Sequence, residues 1–188
     1  ILPKSVPHFQ AQGLESFYAC DAGVRPWTHS LKGKKVLIVS PFVGSFKKQL
    51  DAGFSMFSDE RKLFLDGQEF VFYKAFMTHG GNTLHSSWRE TFNIMARDIA
   101  NIDFDIALLG CGGYGVPLCG YIKKTIGKSC IYVGGGLQLM FGVMGKRWEN
   151  SDFWKRIARE HAPTFVRPTS DEHLPGGRNN RIESGCYW

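Results

Sequence analysis

A chain of 188 residues with 43% hydrophobic and 21% charged residues carries enough apolar material for one folded core and too much for a disordered segment. No apolar run approaches the roughly 20 residues of a membrane-spanning helix, and no signal peptide heads the sequence. The net charge of +6 suits an anionic partner such as a nucleotide, a phosphate or an acidic lipid. Nucleic acid is not expected, because Lys and Arg are scattered rather than blocked and no nucleic-acid-binding motif is present.

Residues 1–30 mix Pro3, Pro7, Gly13, Gly23 and Pro26 with Phe9, Phe17, Tyr18 and Trp27. They read as an irregular arm with one short helix around Leu14 to Ala19, its aromatics packed onto the body. The α/β body spans 31–162. It opens with Val36-Leu37-Ile38-Val39, a run without polar alternation, as expected of a strand buried on both faces. Phe46, Leu50 and Phe54, four apart, predict a helix starting near Ser45. Phe70-Val71-Phe72-Tyr73 is the next strand, and Thr78-His79-Gly80-Gly81-Asn82 the loop that follows it.

From Ser86 to Ile102, Trp88, Phe92, Met95, Ile99 and Ile102 recur at steps of three and four, the apolar stripe of a helix. Ser86 or Ser87 is its expected N-cap, with Glu90 completing a capping-box pattern from Ser87. Strand 104–109, helix 115–125 and strand 130–133 come next. The alternation predicts a Rossmann-like α/β fold, a parallel sheet with helices on both faces. A helix from Leu137 to Met144 and one capped by Ser151-Asp152 complete the body. Residues 163–188 form a Pro- and Gly-rich tail, whose apolar end Gly185-Cys186-Tyr187-Trp188 is expected to dock back on the body.

Ligands of open parallel sheets bind beyond the carboxyl ends of the strands. The loops there, 40–45, 75–82, 110–115 and 134–138, are rich in Gly, Ser, Thr, His and Asn, as a pocket of backbone N–H groups for an anion or sugar would be. Gly110-Cys111-Gly112-Gly113-Tyr114-Gly115 matches the dinucleotide fingerprint. It follows the third strand, however, and Ile131 to Gly136 supplies no acidic partner, which disfavours NAD(P). A turn needed for tight packing and a cradle for a nucleotide or sugar phosphate both stay open.

The expected binding residues are Gly110, Gly112, Gly113, Tyr114, Gly115, Gly135, Gly136, Gln138, Lys146 and Arg147, the last two as phosphate ligands, with Trp148 as a stacking surface. The alternative for Lys146 and Arg147 is a basic helix end favoured by the dipole. His79 is the candidate general base. Asp103 and Asp105 lie at the amino end of their strand, away from the expected site, and read as a solvated pair rather than metal ligands. No metal-ligating set is identified. The five cysteines show no metal-type spacing and lie mostly in apolar segments, which predicts buried reduced thiols and a cytoplasmic setting.

Leu109 to Leu118, Gly134 to Gly142 and Gly145-Lys146-Arg147-Trp148, with Phe165-Val166-Arg167-Pro168 and Gly185-Cys186-Tyr187-Trp188, resemble a largely uncharacterised family encoded in bacterial surface-polysaccharide loci. The resemblance runs from about Trp27 to Trp188. That family is similar to GT-D type glycosyltransferases, whose Rossmann-like core binds a nucleotide sugar. The resemblance implies a nucleotide-sugar donor, a glycan or glycolipid acceptor, and Mg or Mn held by an acidic Asp-x-Glu. No such motif stands at a matching place here. In the resembling proteins it precedes the region matching Ile1, so the chain is expected to be part of a longer protein with further domains. The alternative is a non-catalytic nucleotide-binding or assembly module.

Overall fold

Residues 15–57, 59–160, 164–175 and 183–188 are described by the structure, a computed structural model. The start of the predicted first helix at Leu14, and Phe9 with the rest of 1–14, lie outside them. Four parallel strands, β1 (Lys35–Ser40), β2 (Glu69–Lys74), β3 (Ile106–Leu109) and β4 (Ser129–Tyr132), form one sheet in the order β2-β1-β3-β4. This is the Rossmann-like arrangement expected from the alternation of elements.

Val36, Leu37, Ile38 and Val39 of β1 are fully buried, because helices cover both faces and the pleat sends successive side chains to opposite sides. Val36, Ile38 and Leu108 join a core with Phe46, Phe57, Phe141, Trp154 and Trp188. Leu37, Val39, Ala107 and Leu109 join a second core with Met95, Ile99, Leu118 and Ile122. The first face carries helices α1 (Ser16–Asp21), α2 (Val43–Asp51), α5 (Gly136–Met140) and α7 (Asp152–Glu160); the second carries α3 (Trp88–Ala100) and α4 (Gly115–Tyr121). α4 runs on as a π turn over Ile122–Ile126 and stops at Gly127, left-handed at φ 80°.

Several expected boundaries move. α2 starts at Val43 and ends before Phe54. The helix expected to reach Met144 stops at Met140: Gly142 turns left-handed at φ 70°, with the Phe54 ring and the Gln49 amide packed where a side chain would begin. Gln49 Nε2 donates to the Gly142 carbonyl at 2.9 Å. At α3, Ser87 rather than Ser86 is the N-cap, its hydroxyl accepting from the Glu90 amide at 3.1 Å. The Glu90 carboxylate turns to the Ser86 amide and hydroxyl instead of closing the box on Ser87.

The arm docks through Phe17, edge-on to Trp154 at 4.8 Å, and through Asp21, which takes two 2.8 Å bonds from Arg156 of α7. The tail lies along the first face. Val166 bridges Val143, and the amides of Lys146 and Arg147, in the short helix α6 (Lys146–Glu149), donate to the carbonyls of Trp188 and Cys186. All five cysteines are free thiols.

Candidate functional site

β1 pairs with β2 on one edge and β3 on the other, so the chain leaves the carboxyl end of the sheet in two directions and leaves a crevice between them. A cavity of about 480 Å³ opens there, within the range of about 300–1,000 Å³ usual for small-molecule sites. All four loops singled out in the sequence contribute. Ser40, Pro41 and Phe42 follow β1; Phe76 to His79 follow β2; Gly110 to Tyr114 follow β3; and Gly134, Gly135 and Gln138 follow β4. Trp88 from the start of α3, Tyr132, and Tyr187 and Trp188 from the tail complete the wall.

The two glycine turns lie against each other. Amides of Val133 and Gly134 both donate to the Leu109 carbonyl, at 2.9 and 3.1 Å. A Cβ on Gly110 would stand 2.7 Å from the Gly134 carbonyl oxygen, so only glycine permits this approach. Gly112 is left-handed at φ 57° and opens a 3-10 turn over Gly112–Tyr114. The first amides of a helical turn have no acceptor within it, and for Gly112 and Gly113 none is found elsewhere among the described residues. Open space surrounds the position of a Cβ on Gly113. Those two amides are therefore available to a ligand oxygen.

Around this turn the wall is aromatic. Trp88 is 48% exposed yet stacks on Tyr114, their planes 4° apart and centroids 5.2 Å apart, with Phe92 stacked beyond at 5.7 Å. Tyr114 is fixed by a 2.5 Å bond between its hydroxyl and Thr78 Oγ1, and Tyr132 Oη donates to the Gly112 carbonyl at 3.1 Å. Opposite, the His79 ring lies 6.0 Å from Trp188. Gln138, buried, donates to the Tyr187 carbonyl at 3.2 Å.

No Lys, Arg, Asp or Glu is among the described residues lining the cavity. Desolvation holds His79 below the ordinary histidine value, which makes it a neutral donor or acceptor at pH 7. Burial pushes the Cys111 thiol up to about 12, so it is protonated and no nucleophile. The site can thus engage rings by stacking, hydroxyls through Thr78, His79 and Gln138, and an anion through backbone N–H groups.

Of the expected site residues, His79, Gly110, Gly112, Gly113, Tyr114, Gly135 and Gln138 come together here. Gly115 and Gly136 fall behind the wall. An added Cβ would stand 2.1 Å from the Tyr132 ring at the first and 2.5 Å from the Glu15 carboxyl at the second. Lys146 and Arg147 are exposed outside the cavity, the guanidinium 4.7 Å from the Tyr187 ring centroid, and Trp148 meets Tyr187 edge-on. Asp103 and Asp105 stand at the other end of the sheet on Lys35, the first in an ion pair at 2.8 Å, the second accepting its backbone amide at 2.7 Å.

Sequence reasoning missed Trp88 and Tyr132 as site residues because their spacing is that of a helix stripe and a strand, and Tyr187 and Trp188 because a terminal aromatic pair signals docking alone. The divalent cation implied by the resemblance does not fit the residues present: among the described residues no carboxylate lines the cavity and no three His, Cys, Asp or Glu side chains converge.

Among the described residues no helix is long and apolar enough to cross a membrane. Compared with known proteins, the chain matches no family model, no curated protein and no solved structure.

Proposed function

We propose that this chain is the donor-binding domain of a glycosyltransferase-like protein, taking a nucleotide-activated sugar for surface-polysaccharide or glycan synthesis. The observation that carries the reading is the cavity at the carboxyl end of β1 and β3. There, Gly112 and Gly113, whose amides find no backbone acceptor among the described residues, stacked aromatic rings and neutral hydrogen-bonding side chains line one volume. A nucleotide sugar asks for these three things: ring surfaces for base and pyranose, polar groups for hydroxyls, and N–H donors for the diphosphate.

In transfer, such a site acts by holding the departing nucleoside diphosphate with preorganised N–H groups. His79, neutral and on the cavity wall, is the group that would take the proton of the attacking acceptor hydroxyl. A glycan or glycolipid acceptor, a cytoplasmic location and further domains belong to the same reading. No step is assigned to a metal ion, since among the described residues no carboxylate lines the site.

Titration calorimetry against a panel of nucleotide sugars and free nucleotides, with and without Mg or Mn, tests the proposal. Saturable binding of a nucleotide sugar, weakened at least tenfold by Gly113→Ala, supports it. No binding to any member by the folded chain rejects it. That no carboxylate is among the described residues lining the cavity favours one second reading, a non-catalytic nucleotide-binding or assembly module, in which the same ligand binds and no sugar is released or transferred.

A further inference from the structure

In a doubly wound sheet the first amides of the helix after β1 are a ready seat for a phosphate. Here that seat is filled. α2 has Phe42 at its N-cap and no side-chain cap of its own, while Glu172, from the tail and 0% exposed, reaches across 127 residues of sequence to the first turn. Glu172 Oε1 accepts from the Ser45 amide at 3.0 Å, and Oε2 accepts from the Ser45 hydroxyl and from the Thr169 amide. A Cβ on Gly44 would stand 3.0 Å from the same carboxylate, so the carboxylate packs directly against the backbone as a bound anion would.

Among the described residues no cation pairs with Glu172. A buried carboxylate without a counter-ion is costly unless hydrogen bonds and a dipole replace the water, and here the α2 amide end and two hydroxyl and amide donors do so. The backbone carbonyl of Glu172 accepts from Trp188 Nε1 at 2.9 Å, so the residue that plugs the helix also holds one wall of the cavity.

We infer that Glu172 is a built-in anion that closes the first β-α turn to phosphate and thereby sets the orientation of the cavity's ligand. Resting on the proposed nucleotide-sugar reading, the ligand's diphosphate is directed to Gly112 and Gly113, and its uncharged rings lie towards Phe42 and Trp188. Glu172 is a specificity-determining and positioning residue, not a catalytic one.

The test uses inorganic phosphate, with chloride as the ionic-strength control, on the full chain. In the wild-type protein the amide resonances of Gly44 and Ser45 stay in place as phosphate is raised. Glu172→Ala vacates the seat, so phosphate shifts those resonances saturably and raises Tm. At ten times the dissociation constant, mass-action linkage gives a rise of roughly 3–6 °C for a chain of this size. Glu172→Gln keeps the volume filled and stays indifferent to phosphate. Saturable phosphate shifts at Gly44 and Ser45 of the wild type would overturn the inference. So would a folded Glu172→Ala with no phosphate-specific gain, or an equal gain by the Gln variant. Should Glu172→Ala fail to fold, the wild-type and Gln measurements decide. No arm uses a nucleotide sugar, so failure of the donor-binding reading leaves this result standing on its own.

Discussion

At Gly115 an added Cβ would stand 2.1 Å from Tyr132 Cε2, whereas at Gly113, two residues earlier, it would meet nothing within 4 Å. Gly113 also has ordinary backbone angles for an L-residue, since it is absent from the left-handed set. The two therefore separate packing from binding. Gly115→Ala must push Tyr132 off α4 and is expected to cost about 1–3 kcal/mol, the range for overpacking, read as a lower denaturant midpoint. Gly113→Ala is expected to leave that midpoint within experimental scatter and, on the proposed donor-binding reading, to weaken nucleotide-sugar binding, because a methyl group then stands beside the Gly112 and Gly113 amides. Loss of affinity by neither variant would show that the turn serves packing alone.

Glu15 offers a residue-scale prediction with a sign. Burial raises its carboxyl from 4.5 to about 7, over the start of α5, where a Cβ on Gly136 would touch it. The folded state then binds the proton more tightly than the unfolded chain. Stability falls as pH rises from about 4.5 to about 7 and levels off above. The carboxyl is only partly shielded from water, so the loss is smaller than the full shift would imply. Glu15→Gln is expected to flatten that limb and to be the more stable protein at pH 8. Denaturant midpoints measured at pH 5 and pH 8 for both proteins check it, and an unchanged slope in the variant would refute the assignment.

Among the elements, α3 shows what local pattern decides. Its three-and-four spacing buries Met95 and Ile99, and Ser87 stands where a cap must stand. Ser87→Ala removes the acceptor for the Glu90 amide and is expected to cost about 1 kcal/mol. Urea unfolding of the two proteins measures it, and the Ser86 to Glu90 contacts persist in the variant. Ser87, Met95 and β1 were legible because their partners are either within one helical turn or generic apolar surface. The Leu137–Met144 overshoot has the opposite cause: the apolar pattern continues through Phe141 and Val143, while the left-handed Gly142 answers to Phe54 and Gln49, which are distant in sequence.

The same limit explains the site. Four loops at the carboxyl end of the sheet follow from strand order and direction, so His79, Gly110, Gly112, Gly113 and Gln138 could be named from sequence. Lys146 and Arg147 are expected at the site for their charge and because they follow the helix that begins beside the glycine turns, whereas their backbone amides grip the tail. Glu172 has a local signal, the Thr169-Ser170-Asp171-Glu172 spacing of a capping box on a short 3-10 turn, but nothing in that spacing points to α2. Only the folded chain shows that it caps α2.

On the scale of the whole molecule, the tail joins the core as a wall rather than a flap. Trp188 is 8% exposed and belongs to the first hydrophobic core, with Phe46, Phe141 and Trp154. Its ring meets Phe42 edge-on at 6.0 Å, its indole N–H donates to Glu172, and its carbonyl accepts from Lys146 and Arg167. This one residue therefore links the start of α2, the tail and the cavity. Trp188→Ala is expected to cost about 3–5 kcal/mol, the usual loss for a large buried aromatic. Because the first core is continuous across the sheet face, that loss should appear as a lower midpoint of a single cooperative transition with an unchanged denaturant slope. A detachable tail predicts otherwise: an early, separate transition for the tail and an unshifted midpoint for the sheet. Far-ultraviolet circular dichroism, which reports the whole fold, followed beside fluorescence of the remaining tryptophans distinguishes the two. Coincident, shifted curves make the tail part of the domain that shapes the cavity, and separated curves would remove it from that role.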